Sequence, residues 1–133
     1  MGDNKMFNKD WMTKFQTAWN NEPGLADALH QIDFNSVIAY GFDNEEKPTG
    51  VIHVENGHVV SAGAYEGETL NWDLRASSDN WEKWKKKPPG MMGLGMAYST
   101  GKLKFIVGDY GAMVKDPRMA GPFIKSFAVM GKV

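Results

Sequence analysis

The segment from residue 35 to residue 76 constrains the fold most, because short apolar runs alternate there with turn residues. Four runs lie at residues 35–42, 51–54, 59–65 and 70–75. The dipeptide Asn56-Gly57 separates the second run from the third, and both of its residues tolerate the positive φ that a two-residue hairpin requires. Because the other connections are also short, the pattern predicts four consecutive strands in an antiparallel meander.

The fourth run has an apolar and a polar face. Leu70, Trp72 and Leu74 alternate with polar residues at positions 71, 73 and 75. Such alternation is typical of a strand with one buried and one solvated face. We therefore expect Asp73 and Arg75 to form a surface ion pair, a kind of pair that adds little stability.

Helical patterns precede the strands. Apolar side chains at positions 11, 15, 18 and 19 share one helical face, and either Asn8 or Asp10 is placed to cap that helix. Pro23 suits the first turn of a second helix.

Helical patterns also follow the strands. Ser77-Ser78-Asp79 predicts the start of a helix, which Pro88-Pro89-Gly90 ends. A fifth strand is expected at 102–107 and a short helix at 110–115. The last helix contains Gly121-Pro122, which predicts a kink or a restart near residue 122.

Composition excludes several classes of function. The 133 residues hold 15 basic and 16 acidic side chains, a net charge of −1, whereas nucleic-acid-binding proteins usually carry a basic excess. The absence of cysteine excludes disulfides, thiolate nucleophiles and cysteine-bound metals. No repeat or long linker divides the chain, so residues 1–133 are expected to form a single domain. The start, MGDNKMFNKD, lacks the apolar run of a secretory signal, and we expect a cytoplasmic protein.

The sequence offers no strong catalytic or metal-binding motif. His53 and His58 flank the hairpin turn, across which their two rings could come close, but no third ligand or base–nucleophile spacing accompanies them. A solvated hairpin face is the simpler interpretation, and an enzyme that uses either histidine is the least favoured alternative. The glycines from Gly90 to Gly95 lack the full spacing of a dinucleotide-binding loop. We therefore predict no catalysis, no metal and no cofactor.

Methionine and phenylalanine are concentrated in the last third of the chain. The residues are Met91, Met92, Met96, Phe105, Met113, Met119, Phe123, Phe127 and Met130. Methionine side chains are flexible and adapt to partners of varied shape, while Gly93 and Gly95 each weaken a helix by about 1 kcal/mol relative to alanine. A soft apolar segment suits the wall of a cavity for an apolar guest, although ordinary core packing would use the same residues. On the residues alone, both interpretations stay open.

The stretch from Gly101 to Asp109, with the sequence GKLKFIVGD, leads into an apolar C-terminal helix. It resembles the C-terminal part of sterol carrier (nonspecific lipid-transfer) domains. The predicted order of elements is similar to theirs, and so is the strand at 70–76 followed by an acidic-capped helix with Trp81. The resemblance implies an α+β fold, in which helices cover one face of a five-stranded, mostly antiparallel sheet and leave an apolar tunnel between the two layers.

The resemblance also implies a function in binding. The ligand would be a fatty acid, a fatty acyl-CoA or a sterol-like lipid, held in the internal cavity for transport or transfer without catalysis. From the apolar cluster and the resemblance together, the expected ligand-contacting residues are Trp81, Trp84, Met91, Met92, Leu94, Met96, Tyr98, Phe105, Val107, Met113, Met119, Phe123, Phe127 and Met130.

Partners other than the ligand follow less directly from the sequence. The lysines at 83, 85, 86 and 87 allow transient contact with a membrane surface, or they form an ordinary solvated helix face. No nucleic acid is expected as a partner, and both a monomer and a homodimer are compatible with the sequence. The alternative function is a protein-interaction or dimerisation module related to lipid carriers, or an accessory subunit of a lipid-metabolising enzyme.

Overall fold

A five-stranded sheet forms one layer of the molecule, in a computed structural model that describes residues 6–133. The strands lie in the spatial order β3-β2-β1-β4-β5. They are β1 Ser36–Phe42, β2 Gly50–Glu55, β3 His58–Ala64, β4 Trp72–Ala76 and β5 Lys104–Val107. The α+β class and the mostly antiparallel five-stranded sheet are therefore confirmed.

The predicted four-stranded meander is wrong in one connection. β1, β2 and β3 form an antiparallel meander, but β4 pairs with β1 in parallel. Residues 65–71 do not make a tight turn. They cross the sheet from β3 at one edge to the far side of β1, as a parallel neighbour requires. The crossover is short enough to look like a hairpin loop in the sequence.

The residues that the structure describes also form six helices and one π-helical segment. They are α1 Lys9–Asn20, the π-helical segment Pro23–Asp27, α2 Ala28–His30, α3 Ser78–Lys86, α4 Met91–Ser99, α5 Tyr110–Val114 and α6 Pro117–Met130. Asn8 caps α1 by accepting a hydrogen bond from the Trp11 backbone, as one of the two predicted caps. α6 begins after its cap, Asp116, and continues through Pro122, so the predicted restart is not found. No helix within residues 6–133 is long and apolar enough to cross a bilayer.

The helices cover one face of the sheet, which we call the inner face. Trp81 of α3 lies at the centre of this layer and is fully buried. Its ring centroid is 5.0 Å from that of Phe7 and 6.0 Å from that of Phe127 in α6. Its indole nitrogen donates a hydrogen bond of 2.9 Å to the Gly41 carbonyl oxygen in β1. The residue therefore joins the sheet to α6 and to the segment that precedes α1.

On the opposite, outer face of the sheet, the predicted surface pair is buried instead. Asp73 is 3% exposed and Arg75 is 4% exposed. The Arg75 Nε and Nη2 atoms lie 2.6 and 3.0 Å from the two carboxylate oxygens of Asp73. Arg75 Nη1 also donates to the Glu45 carbonyl oxygen at 2.8 Å. The β1–β2 loop packs against Arg75 on a face that strand alternation alone marks as solvated.

The hairpin tip also packs against the helices. Gly57 has a φ of 86°, and a Cβ atom built on it would lie 2.3 Å from the His30 backbone nitrogen and 2.5 Å from the Ala26 carbonyl oxygen. The Trp19 indole nitrogen donates to the Gly57 carbonyl oxygen at 2.9 Å. Only glycine has both the backbone conformation and the small volume that this contact requires.

We expect Gly57→Ala to lower the free energy of unfolding by about 2 kcal/mol or more, because strain at positive φ adds to a clash with backbone atoms. Gly63→Ala is the matched control, since nothing lies within 4 Å of its would-be Cβ atom. The control should change stability by less than about 0.5 kcal/mol. Urea unfolding of both variants measures the difference, and equal midpoints would contradict the close packing of the hairpin tip.

Candidate ligand cavity

An apolar cavity of about 50 Å³ lies between the inner face of the sheet and the C-terminal helices. Its lining contains no histidine, lysine or carboxylate. The lining residues are Trp19, Leu25, Leu29, Phe34, Ile38, Tyr40, Trp72, Leu74, Met113, Met119, Pro122, Phe123 and Ser126. Such a lining favours an apolar guest and offers no acid–base or metal chemistry.

Strand register and helical period build the two walls of the cavity. In the parallel pair, Ile38 of β1 is opposite Trp72 of β4, and Tyr40 is opposite Leu74. Alternate residues of a strand share one face, so these four side chains form the floor. In α6, positions 119, 123 and 126 are spaced four and three residues apart, which puts their side chains on one helical face to form the roof.

Four side-chain groups of this lining can form conventional hydrogen bonds. They are the hydroxyls of Tyr40 and Ser126 and the indole nitrogens of Trp19 and Trp72. The Ser126 hydroxyl donates to the Phe123 carbonyl oxygen within α6. No hydrogen bond of the Tyr40 hydroxyl is found among residues 6–133, and since each fully buried side-chain nitrogen and oxygen there has a partner, its oxygen keeps a small accessible area. Tyr40 is only 2% exposed and lines the cavity. Burial raises the pKa of Tyr40, so the hydroxyl stays protonated and able to donate at neutral pH.

The volume of the cavity limits what it holds in this conformation. An apolar cavity of about 150 Å³ accommodates benzene, and the cavity here is about 50 Å³. An acyl chain or a sterol therefore enters only if lining side chains move. Met113 and Met119 are suited to such movement, because each has three rotatable side-chain bonds.

The structure brings three of the predicted ligand-contacting residues to the cavity, namely Met113, Met119 and Phe123. Others are buried in the core beside it, without lining it. These are Trp81, Trp84, Leu94, Phe127 and Met130. Phe105 of β5 is half-buried, with its ring centroid 5.9 Å from that of Phe123.

The remaining predicted residues are exposed, and the structure does not bring them to the cavity. They are Met91, Met92, Met96, Tyr98 and Val107. α4 buries Leu94 and Ala97, so its methionines face outward. The ring of Tyr98 stacks on that of Tyr110 with centroids 4.1 Å apart. Contact of these exposed residues with a ligand stays a prediction.

Sequence reasoning missed the floor of the cavity and its N-terminal wall. Tyr40 and Trp72 were recognised as strand residues, but their meeting depends on the parallel pairing of β1 with β4. Leu25 and Leu29 form an apolar helical pair in the sequence, and their place at the cavity follows only from the packing of α6 on the π-helical segment. The sequence did contain one signal for the floor: positions 38 and 40 lie on the same face of their strand, and so do positions 72 and 74.

The histidines form no metal site. The β2–β3 register pairs His53 with Ser61 and His58 with Glu55, so these two histidines are not cross-strand partners. His58 instead lies beside His30, with ring centroids 5.9 Å apart, and His53 contacts Glu68 of the crossover at 3.5 Å. Within the part of the chain that the structure describes, no group of three potential ligands is placed to hold a metal ion.

No family model matches this chain, and no curated protein matches it significantly. Solved structures do resemble it. The crystal structure of sterol carrier protein 2 aligns with a TM-score of 0.76 and 17% identity, covering 96% of this chain and 98% of that one.

Two further structures have a similar fold. A conserved hypothetical protein from Thermus thermophilus, described as possibly a sterol carrier protein, has a TM-score of 0.63 and 16% identity, with 98% of this chain and 92% of that chain covered. The UbiJ-SCP2 ubiquinone synthesis protein has a TM-score of 0.61 and 10% identity, with 100% and 98% covered. The chain therefore has the fold of sterol carrier proteins.

Proposed function

We propose that this protein binds an apolar small molecule in the cavity beneath α6 and carries or transfers it without chemical change. The ligand class is a fatty acid, a fatty acyl-CoA or a sterol-like lipid. The observation that carries the proposal is the apolar cavity between the β1–β4 floor and the α6 roof. Structural similarity to sterol carrier protein 2 supports it further.

The energetic argument rests on burial. Each methylene group that leaves water for an apolar interior contributes about 0.8 kcal/mol. Several buried methylenes would therefore outweigh the loss of a few side-chain contacts when the roof opens. The lining includes no histidine, lysine or carboxylate, and this favours a carrier over an enzyme.

Uptake of a fluorescent long-chain fatty acid by delipidated protein tests this proposal. We expect Met119→Trp to weaken uptake at least tenfold, because the larger ring occupies the space beneath α6, and a tenfold change corresponds to about 1.4 kcal/mol. Val60→Trp is the matched control, since Val60 is exposed on β3.

The unfolding midpoint of each variant establishes that it is folded during the uptake measurement. No uptake by the original protein, or equal uptake by both tryptophan variants, would contradict binding beneath α6. Mass spectrometry of the extracted protein is an independent check for a lipid retained from the cell.

The Tyr40 hydroxyl gives this proposal a second test. We expect Tyr40→Phe to reduce affinity for a long-chain alcohol by up to about tenfold, the value of one hydrogen bond, and to leave affinity for the alkane of equal length unchanged. The free energy of unfolding of the ligand-free variant should not fall, because the hydroxyl has no protein partner to lose. Calorimetric titration and urea unfolding measure these two quantities. A loss of stability above about 1 kcal/mol would show that the hydroxyl is engaged within the protein.

A further inference from the structure

The exposed side of α4 is unusually apolar, and we call the group formed by Met91, Met92, Met96 and Tyr98 the α4 surface. Met92 is 84% exposed and Met96 is 62% exposed. The helix from Met91 to Ser99 contains no charged residue. Single exposed apolar side chains are normal, but four on one short helix make a patch that indicates an interaction site.

The chain around this helix is strongly basic. Residues 83–108 contain six lysines and no aspartate, glutamate or arginine. The other 107 residues hold nine basic and 16 acidic side chains, so a charge of +6 in this segment stands against −7 in the rest of the chain. The near-neutral total hides this separation of charge.

The fold places some of these lysines beside the apolar patch. Lys83 of α3 and Lys102 after α4 line one groove together with Met96. Among residues 6–133, one of these six lysines lies within 4 Å of a carboxylate. It is Lys85, whose ammonium group is 3.4 Å from Glu82. The other five ammonium groups are therefore available to an external anion.

An anionic bilayer fits this combination better than a protein partner does. Interfaces between proteins are enriched in arginine and aromatic anchors and depleted in lysine, whereas this segment has six lysines and no arginine. Binding to a membrane surface gains strength from apolar side chains that enter the boundary between headgroups and acyl chains, and from lysines nearby that attract anionic lipids. Lysine stems extend along apolar surface while their charges stay in water.

We propose that the protein docks on anionic lipid bilayers through the α4 surface. Met92 and Met96 insert among the acyl chains, and the lysines around them, Lys83 and Lys102 in particular, contact the anionic headgroups. This inference rests on α4 and its charge environment, not on the cavity. It therefore stands or falls independently of the proposed carrier function.

Flotation of the full chain with lipid vesicles tests the docking. One set of vesicles is phosphatidylcholine alone, and in the other about a third of the lipid is phosphatidylglycerol. We expect at least tenfold stronger binding to the anionic vesicles. Raising the salt concentration should weaken that binding, because salt screens the attraction between exposed charges.

Variants separate the apolar contribution from the ionic one. The double variant Met92→Glu with Met96→Glu should lose at least tenfold in vesicle binding, while its unfolding midpoint stays close to that of the original chain. Lys102→Glu should weaken binding to anionic vesicles only. Val60→Glu is the control, because Val60 is 51% exposed on β3, at the sheet edge opposite β5, and it should bind as the original chain does.

Three results would overturn the proposal. They are the absence of binding to anionic vesicles, equal binding to both vesicle types, and a vesicle affinity that Met92→Glu with Met96→Glu leaves unchanged. Light scattering covers one further outcome: a dimer that this double variant dissociates would assign the α4 surface to a second copy of the chain instead. Fatty-acid uptake measured without vesicles reports on the cavity separately.

Discussion

Arg75→Leu is expected to lower the free energy of unfolding by about 3–5 kcal/mol, the usual effect of removing one partner from a buried ion pair. The substitution leaves the Asp73 carboxylate buried without its two hydrogen bonds from the guanidinium group. It also removes the donor to the Glu45 carbonyl oxygen, which holds the β1–β2 loop against β4. The loss is large because the remaining charge has neither water nor a partner.

The double variant Arg75→Leu with Asp73→Leu distinguishes this cause from a general packing defect. Replacing a whole buried ion pair by apolar residues is often neutral, so we expect the second substitution to restore most of the lost stability. Urea unfolding of the two single variants and of the double variant gives the free energies of unfolding for this double-mutant cycle. A loss below about 1 kcal/mol for Arg75→Leu would mean that the pair is effectively solvated.

Trp81→Ala is expected to cost about 3–5 kcal/mol, as other substitutions of large core aromatic residues by alanine do. The side chain is fully buried and contacts the rings of Phe7, Tyr40, Trp84 and Phe127. Its removal leaves a hole at the meeting point of the sheet, α3 and α6. It also leaves the Gly41 carbonyl oxygen without the indole donor.

Trp81→Phe is the matched variant, since it keeps a ring but loses the indole hydrogen bond. We expect a smaller loss, of about 1–3 kcal/mol, from the unpaired carbonyl oxygen and the reduced ring volume. Thermal and urea unfolding measure both variants. If alanine and phenylalanine were equally tolerated, Trp81 would not be the centre of the core. Fatty-acid uptake by the folded fraction of Trp81→Phe also tests whether this residue contacts a ligand, as the sequence predicted.

Local patterns in the sequence were sufficient to predict most elements. The Asn8 cap, the Asn56-Gly57 hairpin and the proline-glycine end of α3 all depend on neighbours within a few residues, and the structure has each of them. The structure pairs β4 with β1 in parallel, and no pattern among neighbouring residues predicts the strand with which β4 pairs.

Neither the buried ion pair nor the cavity floor could be predicted, because both depend on contacts between segments that are distant in the sequence. Alternation in β4 shows that the strand has two different faces, but burial of the polar face depends on the β1–β2 loop, which packs against Arg75. Tyr40 meets Leu74 only through the β1–β4 register. Within the methionine cluster, Met113 and Met119 line the cavity, whereas the methionines of α4 face outward.

The crossover also orders the events of folding. β1, β2 and β3 are neighbours along the chain, and hairpins of this kind form within about 1–10 μs. Ile38 and Trp72 are paired across 34 positions of sequence, and contacts between distant residues form more slowly than local ones. We therefore expect a refolding chain to complete its hairpins first and to enclose the apolar space beneath α6 only in the later stages of assembly.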